Sequence, residues 1–118
     1  MLTGLLLKES LSEVSVLDRL NITKTETWNI TNAAEFQPEV WTAVSFEVDD
    51  ADADSVVEEL SRALQPQWYI DARWNEWVFV IFPQHVFKYR RGDQAGKTEA
   101  QNYALSIGIP PSQVDWGD

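Results

Sequence analysis

The chemistry this sequence has to offer is concentrated in six residues: Asp71, Arg73, His85, Lys88, Arg90 and Arg91. Asp71 and Arg73 are two apart, so on a strand they project from one face. If that face is covered, desolvation raises the Asp71 pKa while Arg73 lowers it, an opposition on which acid–base sites are built. The plainer reading makes both of them solvated residues of an edge strand. His85 is the only imidazole in the chain and lies two residues after Pro83, where a strand should break. It could carry a proton, or be simply an exposed or hydrogen-bonded side chain.

Lys88, Arg90 and Arg91 form a basic island in an acidic chain, with Phe87 and Tyr89 interleaved and Arg73 and Lys97 as candidates to join it. Such a cluster suits a small anionic ligand, a phosphate or a carboxylate, and a helix opening after Gly92 and Asp93 would add backbone N–H groups. The alternative is a set of surface ion pairs, individually weak. Neither GxxxxGK[ST] nor GxGxxG occurs, so nucleotide binding has no motif behind it.

Several classes of chemistry are excluded. With no cysteine there is no disulfide, thiolate metal site or cysteine nucleophile, and with one histidine there is no histidine-based metal cluster. Asp50, Asp52 and Asp54 resemble the start of a calcium loop, but Ser55 and Ser61 stand where that loop needs glycine and glutamate. They read instead as acids favouring a helix N-terminus. No metal and no cofactor is expected. A net charge of −10 argues against nucleic-acid partners and against anionic membrane surfaces. MLTGLLLKES lacks a basic leader and is too short to span a bilayer, so a cytoplasmic protein is expected, and the sequons at Asn21 and Asn29 read as chance.

The elements that must position these residues centre on Trp68–Arg91, which holds more than half of the chain's aromatic residues. This stretch reads as two strands joined at Asn75-Glu76. A two-residue turn there sets Trp74 opposite Trp77, Ala72 opposite Phe79 and Ile70 opposite Ile81, all on one core face together with Trp68. The other face receives Tyr69, Asp71 and Arg73 from the first strand, and Val78, Val80 and Phe82 from the second. The second strand is thus apolar on both sides, as a central strand is.

Elsewhere, an extended piece is expected to about Lys8 and a helix from about Ser12 to Leu20, where leucines and valines follow helical spacing. Ile22–Ile30 and Val40–Val48 alternate as strands. A polar loop over Thr31–Glu39 joins them. A helix from about Ser55 to Gln65 buries Val56, Val57, Leu60 and Leu64, with Ser55 and Glu58 as a capping box. Another runs from about Gln94 to Ile107 and stops at Gly108. Residues 1–118 form one α+β domain, long enough for its own core and too short for two.

From Val40 on, the order strand, helix, strand, strand, helix is the ferredoxin-like split βαβ pattern without its last strand. A permuted version results if Ile22–Ile30 supplies the missing edge beside Val40–Val48. The expected antiparallel sheet then has the Val40 strand next to the Val78 strand, two helices on one face, and an N-terminal segment left over. The runs TGLLLKESL, ITKTETW, VFKYRRGD and GIPPSQVDW resemble those of an uncharacterised family of small prokaryotic proteins, over nearly the whole chain. That resemblance implies a compact α+β domain and carries no site residue.

With both helices on one face, the second face would leave Trp41, Tyr69, Val78, Val80 and Phe82 in need of cover. Residues 2–20, a second copy in a homodimer, or a small ligand are the candidates, in that order. The expected function is a non-catalytic small-molecule- or protein-binding or regulatory module. It would act through that aromatic face and the basic island: Trp41, Tyr69, Arg73, Val78, Val80, Phe82, Lys88, Tyr89, Arg90 and Arg91. The alternative is a small acid–base enzyme using Asp71 or His85 with Arg73.

Overall fold

The central hairpin forms in the register its alternation specifies: Trp74 faces Trp77, Ala72 faces Phe79, and Ile70 faces Ile81. Asn75 takes φ 56° in the turn, a conformation that asparagine tolerates better than most residues. Residues 1–30 and 37–116 are described by the computed structural model. The polar loop expected over Thr31–Glu39 lies for the most part outside the described residues.

Six strands are present: β1 Leu2–Leu7, β2 Asn21–Asn29, β3 Val40–Val48, β4 Ile70–Trp74, β5 Trp77–Phe82 and β6 His85–Arg90. The helices are α1 Ala53–Ala63 and α2 Gln94–Ser106. The strands make one open sheet in the order β2-β3-β1-β4-β5-β6, antiparallel at every step. Among the described residues no helix is long and apolar enough to cross a membrane.

Three expectations are corrected. The stretch expected as two strands contains a third, β6, because Pro83 and Gln84 (φ 60°) turn the chain back after Phe82. The helix expected from Ser12 to Leu20 is a 3-10 segment, Val14–Arg19. Branched Val14 and Val16 and the serines favour helix poorly, and Ser12 is anchored instead by its N–H and hydroxyl to the Ala63 carbonyl. The Ser55–Glu58 capping box is also absent, since α1 starts at Ala53 and the Ser55 hydroxyl donates to the Asp52 carbonyl.

The sheet order and the helix placement depart further from the ferredoxin-like arrangement. The Val40 strand does not lie beside the Val78 strand; β1 and β4 stand between them. Gly4 makes this possible, because a Cβ there would sit 2.8 Å from Phe46 Cζ and 3.0 Å from Ala72 Cβ. Its missing side chain lets the Phe46 ring lie across the sheet. The helices take opposite faces. Val56, Val57 and Leu60 of α1 pack with Ile70, Ala72, Phe79 and Ile81, whereas Ala100 and Ala104 of α2 pack with Val78, Val80 and Phe82. A strand apolar on both sides needs cover on both, and one helix supplies each.

Local chemistry explains how α2 sits so close. The Asp93 carboxylate caps the helix by accepting from Gly96 N–H at 3.1 Å. At Gly96 a Cβ would fall 2.7 Å from Tyr89 Cβ, so only glycine allows this approach. Gly108, at φ 90°, ends the helix with Ile109 N–H on the Ala104 carbonyl and Gly108 N–H on the Leu105 carbonyl. The chain then returns across the sheet as residues 109–116.

An aromatic cavity beside the C-terminal segment

The returning segment is fastened to the sheet by two aromatic side chains. Tyr69 donates its hydroxyl to the Gln113 carbonyl, and the Trp116 indole N–H donates to the Tyr89 hydroxyl at 2.7 Å. Tyr69 and Trp116 meet edge to face at 5.2 Å. With α2, this segment leaves Val78, Val80 and Phe82 with 0% exposure and Tyr89 with 4%. Neither residues 2–20 nor an open surface is found over this part of the face, contrary to expectation. The N-terminal residues form β1 inside the sheet instead.

Cover stops partway across. Leu5 opposes Asp71 on β4 and Ser45 on β3, so all three share the second face. Between them and the C-terminal segment lies a cavity of about 360 Å³. Trp41 and Trp68 wall it, with ring centroids 5.5 Å apart and planes at 65°. Trp28, directly across the ladder from Trp41, stands at its edge and is 36% exposed. Tyr69, Leu5, Leu6 and Leu7 complete the apolar lining, and Gln67, Asp71, Ser112, Gln113 and Asp115 border it.

Hydrogen bonds hold these walls in place. The Trp41 N–H donates to the Pro38 carbonyl at 2.7 Å, and the Trp28 N–H to Glu26 at 3.1 Å. Gln37 and Gln113 exchange a reciprocal pair of amide bonds at 2.9 and 2.7 Å. Asp71 accepts from Arg73 at 2.7 Å on the same strand face. Burial, with the negative charges of Asp71 and Asp115, raises the Tyr69 phenol well above its ordinary value of 10. The phenol therefore stays protonated and keeps donating to Gln113.

The basic island is divided between the two sheet faces. Lys88 and Arg90 pair with Phe79 and Trp77 on the α1 face, while Tyr89 and Phe87 point to the α2 face with Arg73. What lies under Lys88 is a different set of rings, Trp77 at 4.7 Å, Phe79 at 5.3 Å and Trp74 at 5.7 Å. Arg90 lies 4.9 Å over Trp77 and pairs with Glu76 at 3.2 Å. Arg91 sits in the following turn, its N–H on the Glu76 carbonyl. His85 is exposed and stacks on Tyr103 at 4.6 Å. It borders a separate groove between α1 and β6, not the space lined by Asp71.

Trp28, Leu5, Gln113 and Asp115 were not anticipated as a group. One signal was available: Lys24, Glu26 and Trp28 alternate on β2, which leaves an apolar ring on a polar strand face. Among the described residues no group of three or more acidic or histidine side chains could hold a metal ion. No family model, curated protein or solved structure matches the chain.

Proposed function

We propose that this protein is a non-catalytic binding module that takes a small molecule into the cavity walled by Trp28, Trp41, Trp68 and Tyr69. The observation that carries this reading is a roughly 360 Å³ concavity with four aromatic walls, on the part of the second face that α2 and residues 109–116 do not cover. Ligand sites are concave, mostly apolar and furnished with a few polar groups, and they start at about 300 Å³. The acid–base alternative has less support. Asp71 is held by Arg73, and His85 packs on Tyr103 away from it.

Because tryptophans form the walls, occupancy should change their emission. Titrating neutral, cationic and anionic small molecules against intrinsic fluorescence, with Trp41→Phe and Trp28→Ala for comparison, tests the reading. A panel that shifts neither emission nor melting temperature would sink it.

A second copy of the chain is the favoured macromolecular partner, through the edge of β2, the outermost strand among the described residues. Run antiparallel against itself about Thr25, the strand NITKTETWN sets Lys24 opposite Glu26. A two-fold interface requires such self-complementarity. The bulge between Ile22 and Lys24 confines regular pairing to the centre of the strand. This replaces the interface expected through Val78, Val80 and Phe82, which are buried beneath α2.

A further inference from the structure

Resting on the cavity reading above, we infer that the ligand is a small organic monocation bearing an ammonium group. The cavity offers rings, and a ring face is negative at its centre and attracts a cation. Two of its indole N–H donors are already committed, Trp41 to the Pro38 carbonyl and Trp28 to Glu26. The Tyr69 hydroxyl is committed to Gln113, whose own amide is paired with Gln37. An anion entering this space would meet the neutral Ser112 and Gln67 side chains at its border and no cationic group in the lining.

The charged groups bias the site the same way. Among the described residues that line the cavity, two are carboxylates, Asp71 and Asp115, and none is lysine, arginine or histidine. Burial first, and then these same two carboxylates, raise the Tyr69 phenol. Arg73, behind Asp71 at 2.7 Å, offsets one of the two charges. One unit of negative charge is left over, which matches a monocation better than a dication. The small anionic ligand suggested by the basic residues finds no counterpart here, because Lys88 and Arg90 lie on the other side of the sheet.

The test compares choline with its neutral isostere dimethylbutanol, in which a tert-butyl group replaces the trimethylammonium, and with benzoate. Binding is read by intrinsic fluorescence and by calorimetry on the full chain. Choline should bind about tenfold tighter than dimethylbutanol, as cation–π attraction and two carboxylates would give. Asp115→Asn, at an exposed position, should weaken choline several-fold and leave dimethylbutanol unchanged; Asp71→Asn should do the same if it folds. Equal affinity for choline and dimethylbutanol overturns the cation while retaining a ligand-binding cavity. Tighter binding of benzoate overturns it too. If none of the three binds and Trp41→Phe alters nothing, the cavity reading fails with it.

Discussion

Trp41 and Trp68 meet edge to face at 5.5 Å, and that contact ties β3 to the chain just ahead of β4. Trp68 is 6% exposed and Trp41 9%, whereas Trp28 across the ladder is 36% exposed. Trp68→Ala should therefore cost about 3–5 kcal/mol in urea melts, as truncation of buried aromatics does. Trp28→Ala should cost under about 1 kcal/mol and act mainly on ligand affinity. Equal losses for the two would mean that Trp28 is part of the core and not the rim of a site.

The two faces of β5 can be tested separately. Phe79→Ala and Ile81→Ala remove packing beneath α1, and Phe82→Ala removes it beneath α2. Each should destabilise by about 2–5 kcal/mol. A neutral Phe82→Ala would be incompatible with α2 lying on that face.

Tyr69 sets an alkaline limit. Its folded pKa is raised, so its contribution is complete below the ordinary phenol value of 10 and is lost as pH rises above it. Denaturant melts across pH 9 to 11 should show stability falling in the wild type. Tyr69→Phe should fall less steeply there, after an initial loss of about 1 kcal/mol for the hydrogen bond to Gln113. Parallel pH profiles for the two proteins would remove Tyr69 as the cause.

Lys88 and Arg90 already rest on Trp77. Alanine at either position should cost about 0.5–1 kcal/mol, the range for exposed cation–π pairs, and should shift the Trp77 emission. Phosphate and chloride at matched ionic strength should raise the melting temperature equally. A phosphate-specific rise that Arg90→Ala abolishes would instead make this island an anion site.

Sedimentation tests the β2 edge. At micromolar concentration a species near twice the 13.5 kDa chain mass is expected. Thr25→Pro, which places a residue without an N–H at the centre of the edge, should give a folded monomer. A wild type that stays monomeric at high concentration excludes the pairing.

What the sequence determined by itself was whatever depends on near neighbours. Alternation on both sides of Asn75-Glu76 set the hairpin register, because a slip of one residue would send Phe79 and Ile81 to the wrong face. Gly108 and the Ala100–Ala104 spacing set the end and the buried stripe of α2 in the same way. Val78, Val80 and Phe82 alternating with Phe79 and Ile81 announced a strand covered twice. Which element would cover each side was left to the tertiary structure, since an apolar face constrains only the chemistry of its partner and not its identity. Two glycines settled that choice by close approach: Gly4 beneath the Phe46 ring placed β1 inside the sheet, and Gly96 against Tyr89 brought α2 onto the second face. The cavity belongs to the same category. Trp28, Trp41, Trp68 and Asp115 lie on separate strands and segments, and only the packed sheet gathers them around one space.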